Sequence, residues 1–348
     1  MPEGLARDVT ALQVASRRQL GGTQVSVRCF APPGGATDAG TAAAHPLSVA
    51  ELRPGKVVGD ALLVATAGDV VAGEVQTLFG EADPARHWVL RRCRFRAEVP
   101  LAGTSVLLAA AGGGNYYHWL FESLPRLRLL ELGGWDRHQA DQFLLNQVPQ
   151  AFHEQTLELL GIAPEQRRRC AKARVLRCAH LVVPSPPAPL IEFPRWLCEY
   201  LRQSFLPAAR PAPAGQRLFV SRRRAHRRRL ANEAELEPLL RRAGFKTVCL
   251  EEFDFTGQVG LFASASVIAG IHGAGLSNLV FASPGARVIE LYSPTHSVAC
   301  YRNLAAAVGL VHVPVVGRTA GRPRKRSVED DLWIDASQLR QAFEQAGL

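Results

Sequence analysis

Two lobes of alternating strands and helices, an α/β fold with parallel sheets, are predicted by three features of this 348-residue chain. Short apolar runs alternate with segments of helical periodicity. Glycines mark the points where a run gives way to a helix. A proline-rich stretch near the middle divides the pattern in two. With 47% hydrophobic residues, the length suits two cores better than one or three.

In the first hundred residues, Val57-Val58 and Ala61-Leu62-Leu63-Val64-Ala65 read as short strands between turns, without a clear order. Ser105–Ala110 is a strand, and the glycines after it lead into a helix from about Tyr116 to Leu132. Gln142–Asn146 (strand), Gln150–Leu160 (helix) and Leu181–Val183 (strand) continue the alternation. Eight prolines then lie between Pro184 and Pro213, enclosing one helix around Trp196–Phe205. These readings set a first lobe at 1–190, a connection at 191–213, a second lobe at 214–317 and a basic loop with a final helix at 318–348.

The second lobe is sharper. Arg217–Ser221 reads as a strand, followed by a helix that Asn232 can cap with Glu235 three residues on; Leu236, Leu239, Leu240 and Ala243 share one face, and Gly244 stops it. The strand Thr247–Leu250, a helix at Gln258–Ala265, the strand Val267–Ile271, a helix after Gly273, the strand Arg287–Leu291 and a helix at His296–Val308 complete four or five βα units. Such units form a doubly wound parallel sheet, whose ligands gather at the carboxyl ends of the strands. The tail adds a basic loop, Arg318–Arg326, and an amphipathic segment, Asp335–Gln345.

The net charge of +10 is concentrated, with Arg222, Arg223, Arg224, Arg227, Arg228 and Arg229 inside eight residues. This favours an anionic partner: nucleic acid, a membrane surface or the phosphates of a small molecule. Seven scattered cysteines without CxxC spacing read as reduced core thiols rather than zinc ligands. The amino terminus lacks the charge and apolar run of a signal peptide, so a cytoplasmic location is expected. Leu101–Phe121 lacks charge until Glu122, but its glycines and polar residues make a poor membrane span.

Three segments can carry chemistry. Ile271-His272-Gly273-Ala274-Gly275-Leu276-Ser277-Asn278 leaves a strand and enters a helix, where free N–H groups and the helix dipole suit a phosphate; the alternative is a tight turn whose histidine serves only the backbone. Ser221–Arg229 also follows a strand. One or two of its guanidinium groups can clamp a diphosphate, with Arg222 and Arg229 the preferred pair and the others a solvated face. In Asn115-Tyr116-Tyr117-His118-Trp119-Leu120-Phe121-Glu122, His118 and Glu122 share one helical face, as a general base oriented by a carboxylate requires; the alternative is a hydrogen-bonded core histidine. Trp119, Leu120 and Phe121 read as core. Glu251, Glu252 and Asp254 read as a loop or cap, the acidic run Glu329-Asp330-Asp331 is assigned no metal, and there is no P-loop, GxSxG elbow or HExxH motif.

Together these segments resemble glycosyltransferase family 61, which groups bacterial capsule and polysaccharide enzymes with plant xylosyltransferases and animal O-linked N-acetylglucosamine transferases. Asn115–Arg126 is similar to the family's aromatic-His-Trp-Leu segment ending in Leu-Pro-Arg. Ser221-Arg222-Arg223 through Arg229, Asn232 and Glu233 is similar to its Ser-Arg to Asn-Glu segment, and His272–Asn278 to its His-Gly-Ala-Gly-Leu turn. The resemblance covers about residues 100–295. It implies a GT-B architecture of two Rossmann-like lobes and an inverting sugar transfer from a nucleotide-sugar, UDP-linked by expectation, to a glycan, glycolipid or other hydroxyl acceptor, in a capsule, exopolysaccharide or related pathway. It assigns Ser221, Arg222, Arg229, His272, Gly273, Ala274, Gly275, Leu276, Asn278 and Glu290 to the donor. His118 and Glu122 become the catalytic candidates, and Asn115, Tyr117, Trp119 and Arg126 the acceptor-side ones. No cofactor is implied and the metal requirement stays open.

The arginine density exceeds what a diphosphate needs, so a peripheral contact with an anionic inner-membrane surface is a further expectation. A nicotinamide-dependent oxidoreductase is disfavoured because no GxGxxG turn is followed by an acidic residue about 20 positions on. A non-enzymatic nucleic-acid-binding protein built on Arg222–Arg229 is the main rival. Against it, the cluster lies inside a βα unit without interleaved aromatics.

Overall fold

A computed structural model of the protein describes residues 13–20, 22–31, 47–59, 62–68, 98–170, 174–294, 298–321 and 329–348. The chain divides into two compact units, Met1–Pro189 and Leu190–Leu348. Among the described residues no helix is long and apolar enough to cross a membrane.

The first unit is built on one sheet of nine described strands: β1 (Gln13–Leu20), β2 (Thr23–Phe30), β3 (Leu47–Arg53), β4 (Gly55–Val58), β5 (Leu63–Thr66), β6 (Glu98–Leu107), β7 (Gln142–Leu145), β8 (Arg167–Arg169) and β9 (Val175–Pro184). Their order is β1-β2-β3-β9-β6-β7-β8, with β4 and β5 branching from β9. Strands β9, β6, β7 and β8 run parallel, whereas β1, β2, β3 and β4 join antiparallel. The expected all-parallel sheet is therefore corrected to a mixed one. The antiparallel strands come from the first hundred residues, whose alternating apolar positions such as Val25, Val27, Ala50 and Leu52 pack into one core with Leu107, Leu144, Leu181 and Val183.

The second unit has a five-stranded parallel sheet of β10 (Gln216–Val220), β11 (Phe245–Val248), β12 (Ala265–Ile271), β13 (Arg287–Tyr292) and β14 (Val311–Val316). Its order is β11-β10-β12-β13-β14, a doubly wound arrangement. Strand β14 escapes the sequence reading because Pro314 interrupts Val311-His312-Val313-Pro314-Val315-Val316. At the edge of the sheet the missing N–H of a proline is tolerated. A short antiparallel pair, β15 (Arg318–Ala320) and β16 (Asp331–Trp333), follows. The core collects Phe219, Leu236, Ile271, Ile289, Val313, Leu332 and Phe343. Residues 322–326 of the expected basic loop, and His296 at the expected start of a helix, lie outside the described residues.

From Leu190 onward the proline-rich stretch belongs to this second unit. Its helix, Arg195–Phe205, sets Phe205 edge-on against Phe255 and Phe281. Farther on, the Arg210 N–H donates to the Thr256 carbonyl (3.0 Å) on the helix Phe255–Ser264. The backbone passes so close that a Cβ at Gly260 would collide with the Arg210 carbonyl oxygen. Gly260→Ala is therefore expected to destabilise the protein by about 1–3 kcal/mol through overpacking. Gly114→Ala, whose added methyl meets nothing within 4 Å, is expected to leave stability unchanged; urea unfolding followed by tryptophan fluorescence measures both.

Candidate active site

In the second unit the sheet order reverses between β10 and β12, which pair with Val220 opposite Gly270. The two chains leaving these strands, Ser221-Arg222 and His272-Gly273, therefore emerge side by side where open α/β sheets take their ligands. A Cβ at Gly273 would collide with the Arg222 guanidinium, so glycine at this position admits the arginine. Arg222 Nε donates to the Arg228 carbonyl (3.0 Å) and Nη2 to the Arg227 carbonyl (3.2 Å). Arg228 holds a left-handed backbone (φ 54), an uncommon state for a residue other than glycine.

Burial, with Arg228 nearby, lowers the Arg222 pKa to about 10, and burial lowers that of Arg228 as well. At about 10 Arg222 still carries its charge at neutral pH. Among the described residues neither joins an ion pair, and the buried Arg228 Nε has no hydrogen-bond partner. The rest of the cluster is engaged: Arg224 with Glu252 (2.6 Å), Arg227 with Glu329 (2.8 Å), Arg229 with Asp331 (3.1 Å), and Arg223 Nε with Cys249 Sγ (3.2 Å). Of the expected pair, Arg229 is thus ion-paired, whereas Arg222, like Arg228, joins no ion pair among the described residues. A string of arginines cannot show which of them will meet a carboxylate 102 residues away.

His272 Nδ1 donates to Glu290 Oε1 (2.6 Å), while Glu290 Oε2 accepts from Tyr292 Oη (2.6 Å) and His312 Nε2 (2.7 Å). Burial pushes the fully buried Glu290 carboxyl up, but the hydrogen bonds from His272, His312 and Tyr292 outweigh it and its pKa falls below the ordinary carboxylate value. Glu290 therefore stands behind His272 and orients it. Tyr292 and His312 escape the sequence reading because they sit on strands without a local motif. The Tyr301 ring lies 5.1 Å from the His272 ring and within electrostatic reach of both Arg222 and Arg228.

The segment after Gly273, expected as a regular helix, is the tighter 3₁₀ turn Ala274–Phe281. Leu276 and Asn278 are buried beneath it, and Asn278 Nδ2 donates to Gln258 Oε1 (3.0 Å) and the Gly275 carbonyl (3.1 Å). These two support the turn from inside, leaving Gly273, Ala274 and Gly275 as its backbone face. Ser221 Oγ donates to Glu233 Oε1 (2.6 Å). Asn232 occupies the N-cap position of the helix Glu233–Arg242 but makes no side-chain cap hydrogen bond; its side chain exchanges hydrogen bonds with the Ile334 backbone instead.

In the first unit the glycine turn 112–114 follows β6. Asn115 Oδ1 accepts from the Tyr117 N–H (2.9 Å) and starts a short α-turn, Tyr116–His118. A π-helical turn, Trp119–Ser123, and the α-helix Pro125–Leu132 follow. The single helix expected over this range is thus interrupted: the Leu124 N–H reaches back five residues to the Trp119 carbonyl (3.0 Å), and Pro125 supplies no N–H. His118 Nδ1 donates to Glu122 Oε1 (2.6 Å), with both side chains about one-fifth exposed. A Cβ at Gly112 would meet the His118 ring at 2.9 Å, so glycine keeps this space open.

Asn115 is exposed and Tyr117 half-buried. Trp119 and Arg126, expected on the acceptor side, are buried (0% and 1% exposed). Trp119 Nε1 donates to Thr156 Oγ1 (2.9 Å), and Arg126 donates to the carbonyls of Glu122 and Pro184 (both 3.0 Å). Burial brings the Arg126 pKa down to about 10. Both residues support the helix from behind rather than facing solvent.

His153 secures the turn. Its Nδ1 accepts the Gln150 N–H (2.8 Å), so Nε2 carries the proton and donates to the Gly113 carbonyl (2.9 Å). Burial lowers its pKa to about 4. The unfolded chain, with a histidine near 6.5, takes up this proton first on acidification. Stability is therefore expected to fall as pH drops from about 6.5 to 4, by on the order of 3 kcal/mol from this group. His153→Gln should flatten that part of the pH dependence in urea melts.

The match to a known family falls on these same segments. The family model for Glycosyltransferase 61 matches residues 116–289, half of the chain. An EGF domain-specific O-linked N-acetylglucosamine transferase of Drosophila melanogaster is 32% identical over 94 residues, 26% of this chain and 18% of that protein. A protein O-linked-mannose beta-1,4-N-acetylglucosaminyltransferase 2 of Mus musculus is 33% identical over 126 residues, 34% of this chain and 21% of that protein. The stretch shared with these relatives is about a fifth of their length. The matched residues run from the helix bearing His118 and Glu122 through the arginine cluster and the His272 turn to the strand bearing Glu290, and on that match the chain belongs to the glycosyltransferase 61 family.

Proposed function

We propose that the protein is an inverting glycosyltransferase that takes a sugar from a nucleoside diphosphate donor to a hydroxyl of a glycan or glycolipid. The observation that carries this reading is Arg222, beside the Gly273 turn, together with Arg228, both half-buried and without an ion pair among the described residues. Two such groups repel one another and have lost water, and a bound dianion relieves both penalties. The backbone N–H groups of the 274–281 turn add donors of the right polarity. In the proposed reaction the acceptor oxygen attacks the anomeric carbon opposite the diphosphate. The bond to the diphosphate oxygen breaks, His118 takes the hydroxyl proton, and Arg222, Arg228 and His272 stabilise the leaving charge.

A two-lobe GT-B arrangement, with the donor on the second unit and the acceptor at the first, is part of the proposal, as is transfer without a resident metal. Capsule, exopolysaccharide or related glycan assembly is the proposed setting. Because the relatives are named for N-acetylglucosamine transfer, UDP-N-acetylglucosamine is the first donor to test. The rival uses of the cluster, nucleic acid and an anionic membrane, are less favoured because Arg224, Arg227 and Arg229 are already ion-paired.

The test is a thermal-shift screen against UDP, GDP, CMP, TDP and NAD, with and without manganese. One nucleoside diphosphate should raise the melting point, the equivalent of about 2.7 kcal/mol at a hundredfold excess over its Kd. A shift with DNA or RNA and with none of the nucleotides overturns the reading. In the variants, Arg222→Ala and Arg228→Ala are expected to weaken nucleotide binding about tenfold to hundredfold. His118→Ala should leave that binding intact and lower kcat by about 10²–10⁴, as measured by titration calorimetry and product release.

A further inference from the structure

The arginine loop is gripped by a segment outside the family match. The Arg228 N–H donates to the Glu329 carbonyl (3.4 Å) and the Arg229 N–H to Asp331 Oδ1 (2.9 Å). The Leu332 N–H donates to the Arg229 carbonyl (2.8 Å), and the Ala231 N–H to the Leu332 carbonyl (2.7 Å). Leu230 and Leu332 form a parallel bridge and are both buried in the core. The Asn232 amide closes the far end, with Nδ2 donating to the Ile334 carbonyl (2.8 Å) and Oδ1 accepting the Ile334 N–H (3.3 Å). Two ion pairs, Arg227 with Glu329 and Arg229 with Asp331, flank the junction.

This grip has a consequence for charge and for shape. It engages the arginines on either side of Arg228 and, among the described residues, leaves Arg228 itself without an ion pair. It also holds the backbone on both sides of the left-handed residue, a conformation that a non-glycine side chain keeps only when its surroundings impose it. The carbonyls that Arg222 binds belong to Arg227 and Arg228, so the placement of Arg222 depends on the same backbone.

We infer that the carboxy-terminal segment Glu329–Ile334 is a positioning element of the donor site, with Asp331 as its principal residue, setting the loop that carries Arg228 and anchors Arg222. The inference rests on the donor reading for its ligand. It does not rest on that reading for the ordering of the loop. Asp331 acts through the Arg229 amide and guanidinium and touches no substrate.

The experiment has two parts, each run on the full chain. Hydrogen exchange without ligand compares the wild type with Asp331→Ala, and with Asp331→Asn should the alanine variant fail to fold. The amides of Arg229 and Ala231 are expected to exchange about tenfold faster in the variant. Titration calorimetry with UDP and with inorganic pyrophosphate then compares the wild type, Arg228→Ala, Asp331→Ala and the double variant. Asp331→Ala should weaken binding about tenfold, and the loss in the double variant should be smaller than the product of the two single losses, because Asp331 acts in part through Arg228. Unchanged amide exchange, wild-type affinity in Asp331→Ala, or losses that multiply in the double variant each overturn the inference. Accelerated exchange in a protein whose wild type binds no nucleoside diphosphate sinks the donor reading instead.

Discussion

Two like charges held close together and partly withdrawn from water are the constraint on which the second unit depends. Arg222 and Arg228 each lose solvation on folding, and among the described residues no carboxylate forms an ion pair with either. A fold retains such an arrangement only if neighbouring elements impose it. Here the glycine at 273 makes room for one guanidinium, and the carboxy-terminal segment fixes the backbone beneath the other. Glu290 shows the complementary solution on the next strand, a fully buried carboxylate with three hydrogen-bond donors around its two oxygens.

Much of this was legible in the sequence because it is local. The alternation from β10 to β13, the glycines of the 273–275 turn and the four-residue spacing of His118 and Glu122 each lie within a few residues, where periodicity and turn chemistry act. What was not legible depends on partners far along the chain. The ion pair of Arg229 with Asp331 and the hydrogen bond of the Asn232 side chain to Ile334 each join residues 102 positions apart. Trp119 and Arg126 lie within the most distinctive motif, yet they serve the interior. Their neighbours Thr156 and Pro184 come from other elements of the first unit. The mixed character of the first sheet follows the same rule, since strand direction depends on pairing between β3 and β9 rather than on either strand alone.

The two units solve the problem of holding a histidine in similar ways. His118 and His272 each give Nδ1 to a carboxylate at 2.6 Å, which fixes the ring's orientation and directs Nε2 away from the carboxylate. They differ in setting: the His118 pair is partly open, and the His272 pair is closed in by Tyr292 and Tyr301. His153, by contrast, uses both ring nitrogens on the backbone and works as a brace for the glycine turn.

The π-turn at Trp119–Ser123 sets an angular relation within the first unit. A regular α-helix advances by 100° per residue, and a π-turn accommodates one additional residue in the same span. Shortening this stretch by one residue would remove the π-turn and leave Pro125 as the break in the helix. It would also turn everything before it by about 100° relative to Pro125–Leu132. The face that carries His118 would swing away from the glycine turn while the buried face of the following helix stayed in place. The geometry of the dyad is thus encoded in the number of residues in one helical turn as much as in their identity.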